Sequence, residues 1–223
     1  MAHAWVAVAL LCMLAGQAGA QDKPAADGKA AKKEAVKVEV KSTLDNLQAA
    51  YAGESNASAR YVAFAKKADA EGYGRVAGLF RAAARSESIH AANHAAAIKK
   101  LGAAPGVVGG KELVIDPGEI KSTRENLQAA IDGETYEFTA MYPAFLKKAR
   151  ADKDTAAVRT LNWARQVEAD HAKLYQEALA NLEGWKAPGQ FYVCTVCGNT
   201  VAKVDFEKCP VCDKPKEKYT PAA

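Results

Sequence analysis

Glu168-Ala-Asp-His171 is one of two Glu-x-x-His stretches in the chain, and the other, Glu87-Ser-Ile-His90, lies 81 positions earlier. Residues three apart on a helix share a face, so each stretch directs a carboxylate and an imidazole towards one point. Two such helices, together with one Glu from each of two further helices, are the ligand set of a di-iron carboxylate site. The two stretches therefore predict a mainly α-helical protein built around a four-helix bundle.

The segments that precede these stretches are also repeated. Residues 41–54 read KSTLDNLQAAYAGE and residues 121–134 read KSTRENLQAAIDGE, so Glu54 and Glu134 occupy equivalent positions. A single Glu-x-x-His on a helix is usually a solvated pair. Two copies, with two further Glu at equivalent positions on the partner helices, favour a metal site instead.

The two halves of the repeat differ by one residue. Glu54 aligns with Glu134 at an offset of 80, whereas Tyr61 aligns with Tyr142 at an offset of 81. A single insertion that leaves the flanking register intact is typical of a π-bulge, which is frequent at functional sites. We therefore predict a π-bulge between Glu134 and Tyr142, and Pro143 should bend the helix at the same place.

Glu137 lies inside the inserted segment and has no carboxylate counterpart in the other half, where Ala57 is equivalent. Oxygen-rich ligation with one imidazole per metal suits iron or manganese better than structural zinc. Without metal, the five buried carboxylates would repel one another, so we expect several of these Glu to be protonated in the metal-free site. Metal binding should then stabilise the bundle. The predicted metal-binding side chains are Glu54, Glu87, His90, Glu134, Glu137, Glu168 and His171.

Three further side chains stand close to these positions along the chain. Tyr61 and Tyr142 are paired by the repeat, and their phenols are either core aromatics or hydrogen-bond donors to the ligating carboxylates. His94 lies one turn beyond His90, but its repeat equivalent is Tyr175, which favours a role in packing or at the surface.

Capping signals and glycines set the expected boundaries of the bundle. The net charge of +4 and the scattered lysines, with no aromatic-flanked basic patch, argue against nucleic-acid binding. The bundle is predicted to span residues 41–184, with helices at 42–71, 72–101, 122–151 and 154–183 and a long crossover at 102–120.

The N-terminal segment has the pattern of an export signal. Residues 5–15 form an apolar run too short to span a bilayer, and Ala18-Gly-Ala20 matches an A-x-A cleavage site. We therefore expect residues 1–20 to be removed on export to the periplasm, with no membrane insertion afterwards. Residues 21–40, rich in Lys, Ala and acidic residues, are predicted to be a flexible tether.

The C-terminal segment, residues 191–223, follows a linker at 185–190 and carries two Cys-x-x-Cys knuckles. Cys194 and Cys197 are separated by eleven residues from Cys209 and Cys212. This spacing predicts a tetrahedral tetrathiolate site, and a metal should fold a segment too short to bury its own core. The alternatives are redox iron, structural zinc or two disulfides, the last disfavoured because each would close a very small loop. Attachment to a redox bundle favours iron.

With both halves in view, residues 42–219 resemble the rubrerythrin family, in which a ferritin-like di-iron bundle precedes a rubredoxin-like domain. The resemblance implies that the seven bundle side chains bind two iron ions, and that one iron exchanges Glu137 for His90 as the pair is reduced. It further implies that Tyr61 and Tyr142 support the ligands, and that Cys194, Cys197, Cys209 and Cys212 hold one iron as Fe(SCys)4.

The family activity implied by the resemblance is reduction of hydrogen peroxide to water. In the family the tetrathiolate iron serves the bundle of a neighbouring subunit, which implies a head-to-tail homodimer. An exported protein has no nicotinamide pool beside it, so we expect a periplasmic electron donor protein. The loop Asn199–Lys208 lacks the family's usual Gly and Ala-Pro. The alternatives are a ferroxidase and a non-catalytic metal-binding stress protein with a structural zinc ribbon.

Overall fold

The structure, a computed structural model, describes residues 38–106 and 116–222 of the 223-residue chain. The predicted export signal (residues 1–20) and most of the predicted tether (21–37) lie outside the described residues, as does the central part of the crossover (107–115). Among the described helices, none is both long enough and apolar enough to cross a membrane.

The predicted mainly α-helical bundle is confirmed. Its four rods are α1, α2, a composite of α3 and α4, and α5; α1 packs on α2, and α3 and α4 pack on α5. The helices are α1 (Thr43–Ala70), α2 (Gly74–Lys100), α3 (Thr123–Tyr136), α4 (Tyr142–Ala151) and α5 (Thr155–Ala180). Short 3-10 helices occupy Pro117–Glu119, Leu182–Trp185 and Lys216–Lys218.

The repeated sequence gives both halves the same start. The Ser42 hydroxyl accepts a hydrogen bond from the backbone N–H of Asp45, and Ser122 accepts one from Glu125. Glu125 also accepts from the backbone N–H of Ser122, which completes a capping box. Each such cap contributes about 1 kcal/mol, so the sequence fixes where α1 and α3 begin.

A π-helical turn, Glu137–Met141, joins α3 to α4. The backbone N–H of Tyr142 donates to the carbonyl of Glu137, five residues earlier, which confirms the bulge predicted from the slipped repeat. Pro143 lies in the first turn of α4, where a missing N–H is tolerated. The extra residue lets Glu134 and Tyr142 both face the centre of the bundle.

The predicted site residues form a polar layer between two apolar clusters of the bundle. The first cluster is centred on aromatic rings whose centroids lie 5.2–6.1 Å apart, those of Tyr61, Phe64, Phe80 and Tyr175. The second cluster is aliphatic and aromatic and includes Leu47, Ile98, Tyr142, Phe145 and Leu161. These clusters hold the four rods together on both sides of the polar layer.

The C-terminal segment forms a three-stranded antiparallel sheet. Strand β1 (Tyr192–Cys194) lies between β2 (Thr200–Val201) and β3 (Tyr219–Pro221). The sheet lies against α2, where Arg85 donates to the Pro221 carbonyl and the Asn93 amide donates to the Val196 carbonyl. The tail of the chain thus covers the layer of the bundle that carries the Glu-x-x-His motifs.

Candidate metal centre

The first of two ligand groups surrounds His90 on α2. Its Nδ1 lies 2.9 Å from Glu87 Oε2, 2.9 Å from Glu168 Oε1 and 3.9 Å from Glu54 Oε1. All four side chains are at most 1% exposed, and their candidate ligand atoms lie within 4.8 Å of one another. Three different helices supply them, as the repeat predicts.

The second group surrounds His171 on α5. Its Nδ1 lies 2.9 Å from Glu168 Oε2, 3.2 Å from Glu87 Oε1 and 3.7 Å from Glu134 Oε1. Glu87 and Glu168 therefore turn one oxygen to each histidine, whereas Glu54 and Glu134 each belong to one group. This arrangement suits two cations bridged by two carboxylates, with one terminal carboxylate and one imidazole each.

The atoms that face the centre of the two groups have no hydrogen-bond partner among the described residues. Each Nδ1 lies 2.9 Å from carboxylate oxygens and is still without a hydrogen-bond partner in the described part of the chain. Buried polar atoms without partners are costly unless a cation satisfies them. These atoms are Glu54 Oε2, both oxygens of Glu87, Glu134 Oε2, both oxygens of Glu168, His90 Nδ1 and His171 Nδ1.

The cysteine segment orients both imidazoles through their outer nitrogens. His90 Nε2 lies 3.0 Å from the Cys197 carbonyl, which can only accept, so this nitrogen carries the proton. His171 Nε2 lies 3.1 Å from the Thr200 hydroxyl, which itself donates to the Gly198 carbonyl. In the neutral rings Nδ1 is therefore the unprotonated atom, as a metal ligand requires.

Gly198 permits this close contact between tail and bundle. Its φ of +83° is favourable for glycine, and a Cβ there would lie 2.5 Å from Ser86 Oγ and 2.6 Å from His90 Nε2. The Ser86 hydroxyl donates to the Gly198 carbonyl at 2.7 Å. The knuckle backbone therefore approaches the metal-centre histidine directly.

Tyr61 and Tyr142 donate hydrogen bonds to the carboxylates, which is one of the two roles considered from the sequence. Tyr61 donates to Glu134 Oε1 at 2.6 Å, and Tyr142 donates to Glu54 Oε1. Each tyrosine thus supports the carboxylate of the opposite half of the repeat. Burial and the neighbouring carboxylate raise the pKa of both phenols well above its usual value, so both stay protonated donors.

Glu137 belongs to neither ligand group, unlike the other six predicted side chains. It begins the π-helical turn, is half-buried, and lines a cavity of about 160 Å³ together with Tyr61, Arg60 and Gly53. Burial and the charge of Glu134 raise the pKa of Glu137 well above its usual value. Its role as a ligand stays a prediction.

Charges within the centre act strongly on one another. Burial raises the pKa of Glu54, and the carboxylates of Glu137, Glu168 and Glu87 raise it further. Burial alone would lower the pKa of His90, but Glu168 and Glu87 raise it well above its usual value. The metal-free site therefore holds several protons, which agrees with the expectation from charge counting.

His94 is a residue whose place the sequence pattern did not reveal. It is fully buried, and its Nε2 lies 3.1 Å from the Tyr142 hydroxyl while its Nδ1 lies 3.0 Å from the Thr160 hydroxyl. Burial lowers the pKa of His94 to about 3, so the ring is neutral. Its spacing of one turn from His90 was the available signal, but the repeat equivalent, Tyr175, favoured a packing or surface role.

The four cysteines of the tail converge as their spacing predicts. Cys194 Sγ lies 3.8 Å from Cys212 Sγ, and Cys197 Sγ lies 3.6 Å from Cys209 Sγ. A tetrahedron with metal–sulfur bonds of about 2.3 Å has sulfur–sulfur edges of about 3.8 Å. All four are free thiols among the described residues, so the pairing into two disulfides is not what the structure shows.

Comparisons with known proteins match nearly the whole described chain. The rubrerythrin family profile matches residues 45–179. Nigerythrin of Nitratidesulfovibrio vulgaris is 40% identical over 186 residues, covering 82% of this chain and 88% of the relative. Rubrerythrin-2 of Clostridium acetobutylicum is 38% identical over 183 residues, covering 79% and 95%.

Solved structures agree with the sequence relatives. The fully reduced, all-ferrous state of nigerythrin has a TM-score of 0.74 at 37% identity, covering 85% of this chain and 91% of that one. The bacterioferritin of Desulfovibrio desulfuricans has a TM-score of 0.57 at 23% identity, covering 65% and 81%. This second likeness shows the ferritin-like fold alone.

Proposed function

Since the chain belongs to the rubrerythrin family, we propose that it is a di-iron peroxidase that reduces hydrogen peroxide to water. An iron held by the four cysteines of the tail would supply electrons to the iron pair. One contact mainly supports this proposal: the carbonyl of Cys197, a residue of the thiolate cluster, lies 3.0 Å from Nε2 of His90 in the bundle centre.

The ligand assignment follows the two groups of side chains. Glu87 and Glu168 would each hold both iron ions, because each turns one oxygen to each histidine. Glu54 with His90 completes one iron site, and Glu134 with His171 completes the other. Glu137 and His90 would be alternative ligands of one iron, as the family resemblance implies. Cys194, Cys197, Cys209 and Cys212 bind the third iron.

Two ferrous ions, when bound, supply the two electrons that cleavage of the peroxide O–O bond requires. The chain contributes access and orientation. The cavity beside Glu137 and Tyr61 is a route for a small polar substrate to the centre, since Arg60 and Asn56 also line it. Tyr61 and Tyr142 hold Glu134 and Glu54 in place by hydrogen bonds. The apolar clusters on both sides exclude bulk water.

The electron path is short because the cluster and the centre share a hydrogen bond. From Cys197, one carbonyl leads to the His90 ring, whose Nδ1 faces the buried carboxylates that would hold the iron pair. The Thr200 hydroxyl makes a parallel contact with His171. Electrons enter the cluster from a periplasmic donor protein, a proposal supported by the signal-like residues 1–20.

The assembly is proposed to be a head-to-tail homodimer, as the family resemblance implies. The tail residues that contact His90, His171 and Asn93 in the described part of the chain, which are Cys197, Thr200 and Val196, all follow the linker at 185–190. Two chains can therefore exchange their tails while each bundle keeps the same set of contacts.

The test of the peroxidase proposal follows the two iron chromophores separately. Reduced, fully loaded protein is mixed with hydrogen peroxide, and the visible band of the tetrathiolate iron is recorded with time. We expect the band to return rapidly as the tetrathiolate iron is reoxidised through the bundle. With an electron donor present, we expect continuous turnover of peroxide. Cys212→Ser should oxidise its iron pair once but lose donor-driven turnover, whereas Thr195→Ser, a conservative change in the other knuckle, should retain it. Normal turnover by Cys212→Ser would refute the relay.

A second pair of variants tests the centre. Glu168→Ala removes one of the two side chains shared by both groups, so it should lose both bundle irons and reduce turnover by about 100-fold or more. Glu177 is an exposed residue on the same helix, and Glu177→Ala should retain both bundle irons and wild-type turnover. If loaded wild type oxidises Fe(II) and releases Fe(III) without turning over peroxide, the protein is a ferroxidase instead.

A further inference from the structure

Four side chains form an unbroken line of hydrogen bonds into the metal centre. The Tyr142 hydroxyl donates its single proton to Glu54, so its oxygen accepts from His94 Nε2, 3.1 Å away. With its proton on Nε2, the His94 ring accepts at Nδ1 from the Thr160 hydroxyl, 3.0 Å away. All three donors therefore point in one direction, from Thr160 towards Glu54.

The outer end of this line reaches the surface of the bundle. Thr160 is 5% exposed and lines a cavity of about 180 Å³ between α2 and α5. Lys100 and Arg159, whose side chains are exposed, border the same cavity, so the cavity opens to solvent at these residues. Its volume is sufficient for several water molecules beside the threonine hydroxyl.

The other half of the repeat lacks such a line. The position equivalent to His94 is Tyr175, whose hydroxyl has no hydrogen-bond partner among the described residues. The position equivalent to Thr160 is Leu79, which cannot donate. Tyr61, the counterpart of Tyr142, still donates to Glu134, so support of a carboxylate does not require the histidine. Since His94 and Thr160 are not needed to support a carboxylate, we look for a separate function of these two residues.

We propose that Thr160, His94 and Tyr142 carry protons from this cavity to the Glu54 side of the metal centre. This inference rests on the proposed peroxidase function, since H2O2 + 2e⁻ + 2H⁺ → 2H2O consumes two protons in each turnover. The electrons come from the iron pair, and the protons come from water.

Each transfer conserves the charge of the relay residues. Water in the cavity gives a proton to the Thr160 hydroxyl as this hydroxyl passes its own to His94 Nδ1, and the hydroxide that is left exchanges with solvent. His94 releases the Nε2 proton to Tyr142, and Tyr142 passes its proton to the centre. Every member gains one proton and loses one, which leaves the His94 proton on Nδ1. Rotation of the ring and of the two hydroxyls then restores the starting arrangement. Imidazole suits this role because it can accept at one nitrogen while it donates from the other.

Two substitutions separate proton transfer from simple support of Tyr142. The amide of His94→Gln can still donate to the Tyr142 hydroxyl, but it cannot pass a proton between two nitrogens. Thr160→Val keeps the shape of the side chain and removes the outermost hydroxyl. Tyr175→Phe, at the repeat equivalent of His94, is the matched control because it removes a hydroxyl that bonds nothing among the described residues.

The measurement is stopped-flow oxidation of the reduced iron pair by hydrogen peroxide in H2O and in D2O, with iron content and the visible spectrum recorded for each variant. We expect His94→Gln and Thr160→Val to retain wild-type iron and spectrum but to oxidise about tenfold or more slowly, with a larger solvent isotope effect. Added imidazole should restore the rate of His94→Ala, and Tyr175→Phe should match wild type.

Wild-type rates for both His94→Gln and Thr160→Val would overturn the inference, as would loss of iron in both. A slow His94→Ala beside a normal His94→Gln would also overturn it, because His94 would then only support Tyr142. These outcomes are distinct from failure of the proposed function, which would appear as absent peroxide reduction by loaded wild-type protein.

Discussion

At the scale of single residues, the carboxylates of the metal centre differ in charge although they lie within a few ångströms. Burial would raise the pKa of Glu168, but His90 and His171 lower it to about 2. Burial and the charge of Glu168 raise the pKa of Glu134 to about 8. Metal binding requires deprotonated carboxylates, so binding of iron at neutral pH must release protons from this site.

The stability of metal-free protein should therefore fall as pH rises from about 5 to about 8. Over this range folded Glu134 holds a proton that the unfolded chain releases, which disfavours folding as pH rises. The raised pKa values of His90 and His171 act in the same direction, and the lowered pKa of Glu168 has no effect above about 5.

Calorimetry of chelator-treated protein at several pH values measures this effect. We expect Tm to fall by several degrees, since one pKa unit corresponds to about 1.4 kcal/mol and 1 kcal/mol to about 2–4 °C in a domain of this size. Iron-loaded protein should show the opposite slope, because protons compete with the metal. Glu134→Gln, which cannot titrate, should flatten the metal-free curve; a metal-free Tm that rises from pH 5 to 8 would contradict the account.

At the scale of elements, the π-helical turn makes the two halves of the repeat unequal. It carries Glu137, which has no equivalent carboxylate on α1, and it sets the rotation of Tyr142 relative to Glu134. One residue of an α-helix turns the chain by about 100°. Without the extra residue, Glu134 and Tyr142 could not both face the centre.

Deletion of Thr139, an exposed residue of this turn, tests that geometry. The deletion should restore regular α-helical register and rotate either Glu134 or Tyr142 out of the centre. We expect the bundle to lose most of its iron while helical content by circular dichroism stays close to wild type. Thr139→Ala keeps the chain length and should load iron normally. Full iron loading by the deletion variant would show that the π-helical turn is dispensable.

At the scale of the whole molecule, the tail and the bundle share a buried interface at the metal centre. The knuckle backbone contacts His90 and the Thr200 hydroxyl contacts His171, while Gly198 leaves room for the approach. The linker is packed as well: a Cβ at Gly78 of α2 would lie 2.9 Å from the Gly189 carbonyl. The tail therefore fixes the imidazole orientation as well as bringing its metal close.

Mixing two inactive variants tests the proposed exchange of tails. In a head-to-tail dimer of Cys212→Ser and Glu168→Ala chains, the intact tail of one chain serves the intact bundle of the other. After co-refolding of equal amounts, half of the dimers are mixed and each has one complete relay, so turnover should return to about one quarter of wild type. If mixing restores nothing while each variant still dimerises, every tail serves its own bundle.

The sequence predicted what depends on local spacing. Two Glu-x-x-His motifs and the repeated Glu54 and Glu134 located six converging side chains, and an offset of one residue located the π-helical turn. It did not predict that Thr160 on α5 meets His94 on α2, because such contacts depend on packing between helices. Residue spacing likewise could not predict that Glu137 lies outside both groups.

The most direct test of the central claim is anomalous diffraction at the iron absorption edge from crystals of the iron-loaded protein. The account predicts two peaks about 3.5–4 Å apart inside the bundle, one beside Glu54 and His90 and the other beside Glu134 and His171. A third peak should lie among the four cysteine sulfurs. Iron-loaded crystals with no peak between the two histidines, or with iron only among the cysteines, would contradict it.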